Sequence, residues 1–110
     1  MRPRVAGATR VKINILPRAW ADLEDGAAFY ERQCTGLGDV FADHLVAQIR
    51  ELKTTHGIHP LVEGGFHRFV TDQRFPFAVY YRCDARGIFI FAVLDCRRDP
   101  ATIRERLSGE

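Results

Sequence analysis

The hydrophobic period of this chain changes at the glycine pair Gly64-Gly65, and that change restricts it to folds in which a block of helices is followed by a block of strands. Before the pair, apolar side chains return every three or four residues. Trp20, Leu23, Ala27 and Tyr30 fall on one helical face, with Asp22, Glu24, Asp25 and Glu31 largely on the other. Leu37, Phe41, Leu45, Ile49 and Leu52 repeat the pattern. Trp20 and Tyr30 are therefore expected in the core. The segment Cys34 to Gly38, with two glycines, ends the first helix and turns into the second. That second helix is expected to run to about His56, where Gly57 and Pro60 stop it.

A strand precedes this helical hairpin. Val11 to Leu16 reads V-K-I-N-I-L, an alternation rich in β-branched residues, and Pro17 then sits where a helix tolerates it, in the first turn. Past the glycine pair, Phe66 to Thr71, Phe77 to Cys83 and Gly87 to Leu94 read as three strands of a meander. D-A-R-G at 84 to 87 supplies a hairpin turn whose glycine can take positive φ. Asp99 as cap and Pro100 in the first turn introduce a last helix, Ala101 to Leu107. The predicted order is β-α-α-β-β-β-α: an α+β fold with the helical hairpin packed on a curved, mainly antiparallel sheet. A chain of 110 residues suits a single domain, placed over 11–107, with residues 1–10 as a flexible extension.

Composition excludes some classes. The content is 46% hydrophobic and 27% charged, as in soluble globular proteins. No apolar run approaches the roughly 20 residues of a membrane helix. The opening MRPRVAGATR is not followed by the apolar stretch of a secretory signal, so a cytoplasmic protein without membrane contact is expected. Cys34, Cys83 and Cys96, odd in number and scattered, read as free, mostly buried thiols. His56 and His59 lack further ligands at metal spacing and read as helix-end or loop residues. Neither a cofactor nor a metal is expected. Net charge is +2, unevenly spread: residues 1–12 hold four cations and no acid, 13–65 four cations against eight acids, and 66–110 eight against six. The second half can face an anionic partner.

The element order, taken with the helix run A-D-L-E-D, the turn G-L-G-D-V-F, the strand H-R-F-V, the block R-F-P-F-A-V-Y-Y and the terminal R-R-D-P, resembles the RelE/ParE superfamily of bacterial toxin–antitoxin systems across about residues 11–107. The resemblance implies a growth-inhibiting toxin of the plasmid-stabilisation type, neutralised by a cognate antitoxin protein. Such a partner would be an acidic, amphipathic segment that orders as it binds, with the seam between hairpin and sheet and the arginine-rich face as its candidate surfaces. Without it, self-association into a homodimer through the same apolar surface is expected.

Ribosome-dependent members of the superfamily cut messenger RNA by attack of a 2′-hydroxyl on the adjacent phosphate. That reaction needs a proton acceptor, a proton donor and cations that hold the developing charge. Arg68 and Arg74 match the middle-strand positions where the family carries such arginines. Arg97 lies where the last strand gives way to the C-terminal segment that bears another functional group. With Arg82 and Arg98 they lie on or beside consecutive strands and are expected to share one basic face. The acid and base are harder to find: no Tyr or His follows position 95, and Lys53 is the only lysine beyond Lys12, which leaves Glu63, His67 and Tyr81 as substitutes. This incomplete set favours the ParE-like branch, whose members inhibit DNA gyrase, over the ribosome-dependent endoribonucleases. A non-toxic or inactive binding module of the same fold is the third reading.

Overall fold

The structure, a computed structural model, describes residues 11–109. Residues 1–10, expected to form a flexible extension, lie outside the described residues. The elements are β1 (Ile13–Ile15), α1 (Pro17–Gln33), α2 (Leu37–Arg50), the short α3 (Leu52–Thr55), β2 (Leu61–Val62), a 3-10 turn (Glu63–Gly65), β3 (Phe66–Val70), β4 (Phe77–Asp84), β5 (Gly87–Asp95) and α4 (Pro100–Ser108). They build a five-stranded sheet in the order β1-β5-β4-β3-β2, with β1 parallel to β5 and the other pairs antiparallel.

The expected α+β order is the observed one, with two local differences. The second helix breaks at Glu51, whose carbonyl takes bonds from the Thr54 and Thr55 hydroxyls as well as from their N–H groups; such side-chain competition interrupts a regular helix. β2 escaped notice because two residues carry no period.

The hairpin turns at Gly36, whose φ of 91° suits glycine. The Glu31 carboxylate accepts the N–H groups of Gly36 (2.9 Å) and Gly38 (3.0 Å), and these bonds hold its pKa below the ordinary carboxylate value. Gly38 is not a breaker but lies inside α2. A Cβ there would stand 2.5 Å from the Ala27 carbonyl oxygen, and one at Gly26 would stand 2.6 Å from the Phe41 ring. The two helices thus cross at a distance that glycine permits.

Between hairpin and sheet the Phe41 ring lies 4.9 Å from Phe77, 5.3 Å from Phe75 and 5.1 Å from Tyr30. Tyr30 packs against this core as expected. Trp20 does not, being 48% exposed. The stripe that α1 buries is Ala19, Leu23 and Gly26, one residue out of phase with Trp20, because small residues let the helix lie close to the sheet. The cysteines also differ from expectation: all three are free, but Cys34 is exposed and Cys83 and Cys96 are half-buried.

Helix α4 covers the opposite face of the sheet, where Leu107 packs with Phe66, Ala78, Tyr80, Ala92 and Leu94. β4 is therefore buried on both faces from Phe77 to Tyr81. α1 and α4 are joined by an ion pair: Arg106 donates to both oxygens of Asp22, at 2.7 and 2.8 Å, with the two side chains only 12% and 10% exposed. Asp22 also accepts the Val93 N–H at 3.0 Å. Removing one partner of a buried pair leaves a desolvated charge, so Arg106→Ala is expected to lower the unfolding free energy by about 3 kcal/mol. A urea titration followed by far-UV circular dichroism measures it as a lowered midpoint.

Candidate functional site

The face of α4 that carries Pro100, Ile103, Arg104 and Leu107, spaced three and four residues apart, meets the sheet along a groove of about 330 Å³. Asp99 fixes the start of that helix by accepting the Ala101 N–H at 3.2 Å, as the sequence implies. β3 supplies Arg68 and β4 supplies Tyr80, directly opposite each other in the ladder. The Arg68 Nε donates to the Tyr80 hydroxyl at 3.2 Å, and its Nη2 lies 3.7 Å from the Cys96 Sγ. Arg98 and Arg104 complete a lining of three guanidinium groups against one carboxylate, Glu63. Burial pushes the Cys96 thiol pKa up, and Arg68 opposes that shift. This groove can hold an anionic group against three cations, of which Arg68 is held in place by Tyr80, with a phenol and a carboxylate alongside.

The shared basic face expected from the sequence divides. Arg97 forks onto Asp95 at 2.9 and 2.8 Å, in a separate groove of about 270 Å³ that Asp22, Asp25 and Arg98 also line. Asp95 is held below the usual carboxylate range chiefly by its bond from Arg97, and Arg97 is correspondingly held charged. Arg74 lines neither groove. It is exposed in the β3–β4 connection, its guanidinium 5.4 Å from the Phe75 ring centroid. That connection, the R-F-P-F block, is anchored by the buried Thr71 hydroxyl, 2.8 and 2.9 Å from the carbonyls of Phe75 and Phe77. Arg82 shares the face of Arg68 and Tyr80 by strand parity. Its guanidinium stacks over Phe66 (4.0 Å) and Phe91 (5.1 Å) and donates to the Gly64 carbonyl, which pins the 3-10 turn.

Of the three substitute acid–base groups, only Glu63 reaches the Arg68 groove. Tyr81 and His67 lie on the helix side of the sheet. The Tyr81 hydroxyl lies 2.5 Å from His59 Nδ1 and accepts the Gly57 N–H at 3.0 Å. His67 stacks on Tyr81 at 5.0 Å, its Nδ1 2.7 Å from the His59 carbonyl. This cluster clamps the 56–60 loop to the sheet, and His56, just past α3, sets its Nδ1 2.9 Å from the carbonyl of Leu52, the first residue of that helix. Burial is the main reason that the Tyr81 pKa is raised. Reading the sequence missed Tyr80 and Arg104 as groove residues. The 100-103-104-107 helical spacing carried the signal for Arg104, whereas the choice of Tyr80 over Tyr81 required knowing which face the hairpin covers.

No group of three or more His, Cys, Asp or Glu placed to hold a metal occurs among the described residues, and no helix there is long and apolar enough to cross a membrane.

His59 is harder to protonate in the folded chain than its ordinary value of 6.5, first because of burial and then because His67 is near. As pH falls below 6.5 the unfolded chain takes up that proton first. Stability is therefore complete above 6.5 and declines below it, levelling once the folded His59 is also charged. The urea midpoint is expected to be lower at pH 5.5 than at pH 7.5, a window above the carboxylate range, and His59→Gln is expected to shrink the difference.

No protein-family model matches the chain, and no curated protein does. Among solved structures it is similar to a chain of the chromosomal ParDE TA system from P. aeruginosa. The identity is 18% and the TM-score 0.68, over 79% of this chain and 97% of that one. The RelE/ParE-like fold expected from the sequence is the fold observed.

Proposed function

We propose that this chain is the toxin of a toxin–antitoxin pair, a cytoplasmic protein that inhibits growth by binding a macromolecular target, DNA gyrase, and that a cognate antitoxin protein holds it inactive. The observation that carries the toxin reading is the fold, which extends over nearly the whole of the ParDE chain at a TM-score of 0.68. Binding is favoured over RNA cleavage by the make-up of the α4 groove. It offers three guanidinium groups and no imidazole, and the hydroxyl of its one tyrosine is engaged by Arg68. Arg68, with Arg98 and Arg104, is the contact to an anionic surface of the target; Arg74 and Arg97 lie outside that groove and add outlying contacts.

A ribosome-dependent endoribonuclease is the second reading. A specific observation favours it: Glu63 and Tyr80 stand in the same groove as Arg68, where a carboxylate and a phenol could exchange the protons of a phosphoryl transfer.

Induced expression of the full chain is expected to arrest bacterial growth, with relief by the product of an adjacent small reading frame. The purified protein is expected to inhibit gyrase supercoiling and to leave messenger RNA intact on translating ribosomes. Cleaved message with normal supercoiling would establish the second reading instead. Replacing desolvated charges at a contact costs a few kcal/mol, so Arg68→Ala with Arg104→Ala is expected to weaken inhibition by about tenfold or more. Unchanged inhibition by that variant would remove the groove from the target contact.

A further inference from the structure

The acid-induced loss of stability expected from His59 need not spread over the whole fold. Of residues 57–65 only His59 and Val62 are half-buried, and all the others are exposed, Ile58 at 75% and Leu61 at 65%. The His59 ring lies 4.7 Å from Phe69 on the hairpin side of the sheet, and Val62 packs against the α4 cluster on the other side. Between them β2 adds two residues to β3, extended by one bond from the Arg68 N–H to the Pro60 carbonyl at 2.9 Å. A segment that buries so little apolar surface is held by its polar contacts, and such segments can open below the free energy of global unfolding.

Those contacts converge on the hydroxyl of Tyr81, a fully buried side chain. It accepts the Gly57 N–H at 3.0 Å, so its own hydrogen goes to His59 Nδ1, 2.5 Å away. This arrangement requires a neutral His59 with its proton on Nε2. His67 differs, because its Nδ1 donates to the His59 carbonyl at 2.7 Å whether the ring is charged or neutral. Charging His59 turns Nδ1 into a donor. Tyr81 then meets two donors, and its hydroxyl hydrogen is left without an acceptor, which a buried donor tolerates poorly. The groups around His59 do not offset the charge. β3 contributes His67 and β4 contributes Tyr81 with Cys83 beside it. The loop itself adds His56, and the one charged residue of α3 is Lys53. No carboxylate pairs with His59 among the described residues.

We propose that His59 is a proton-operated latch: when its ring takes up a proton, residues 57–65 leave the sheet while the rest of the fold stays intact. The effect crosses to the opposite face, because Val62 and Glu63 line the α4 groove. Opening takes from that groove its one carboxylate and part of its apolar wall, leaving Arg68, Arg98 and Arg104 with no opposing charge among the lining residues. The direction in pH follows from linkage. In the closed form His59 is harder to protonate than its ordinary value of 6.5, first because of burial and then because of His67. The open form therefore gains as pH falls below 6.5, and the gain levels once the closed form is also charged. Between pH 7.5 and 5.5 the open-to-closed ratio is expected to rise by up to about tenfold, the limit for one group that regains its ordinary value when freed.

Proton–nitrogen NMR spectra of the full-length protein from pH 7.5 to 5.0 test this with no target present, and so independently of the proposed toxin role. The amides of residues 57–65 are expected to shift with one midpoint, below 6.5 and shared with the His59 ring. The Gly57 and Arg68 amides, bonded in the closed form, are expected to lose protection against hydrogen exchange in acid, while those of Val79 and Val93 in β4 and β5 keep theirs. His59→Gln retains a neutral acceptor for the Tyr81 hydroxyl and is expected to hold the segment closed down to pH 5.0. Tyr81→Phe removes both bonds and is expected to leave it open at every pH, with circular dichroism establishing that this variant is folded.

A His59 ring that titrates while Gly57 and Arg68 stay protected would overturn the proposal. So would loss of protection at Val79 and Val93 together with Gly57, which would mean that acid loosens the whole fold. A transition that survives in His59→Gln and disappears in His67→Gln would assign the sensor to His67 and remove His59 from that role. Tyr81→Phe with a segment still closed at pH 7.5 would show that the hydroxyl does not hold it.

Discussion

The short first strand leaves the sheet unfinished, and the Asp22–Arg106 pair completes it. β1 reaches only as far as the bond from Leu16 to Ile90. Beyond that point the edge of β5 away from β4 meets no strand among the described residues, and its polar groups need other partners. Asp22 of α1 takes the Val93 N–H, and Arg106 of α4 approaches the Phe91 carbonyl at 3.4 Å. One carboxylate and one guanidinium thus satisfy the strand edge and fasten together the helices on the two faces of the sheet. The charge pair is costly to bury and unremarkable as a source of net stability. Its consequence is geometric, since it fixes where α4 lies and hence the shape of the Arg68 groove.

The molecule presents two basic surfaces of different character. The α4 groove sets three guanidinium groups beside a phenol, a thiol and a carboxylate, with Arg68 held in place by Tyr80 and Cys96. A guanidinium fixed in this way suits a defined anionic group. A groove of about 390 Å³ beside β1 and the hairpin instead sets Lys12, Arg50 and Lys53, which form no ion pair among the described residues, beside the apolar side chains of Ile13, Ile15, Trp20, Val46 and Ile49. The two grooves share no lining residue, so occupation of one does not of itself block the other.

Several arginines that look equivalent in the sequence do different work. Arg82 carries the turn before β3 by stacking on two phenylalanines; Arg97 is bound to a neighbouring aspartate; Arg106 is internal. Arg68 alone combines a strand position with a groove, and Arg98 and Arg104 join it from the chain that follows β5. The histidine and tyrosine pair on the helix side, chemically suggestive in isolation, is a clamp whose hydrogen bonds are directed inward.

The sequence by itself determined the order and type of the main elements, because hydrophobic period, Pro17, Asp99 and the 84–87 turn are local signals that act within a few residues. It also determined that Arg68 would lie on a middle strand. Tertiary structure decided the rest. The phase of α1, with Ala19 and Gly26 inward and Trp20 outward, follows from how closely the helix can approach the sheet. The separation of Tyr80 from Tyr81 follows from which face the hairpin covers. The two-residue β2, the parallel edge strand, the Asp22–Arg106 pair and the division of the arginines into separate grooves all join residues far apart in the chain. Such contacts depend on packing distances and register, and neither is encoded in the spacing of residues along one segment.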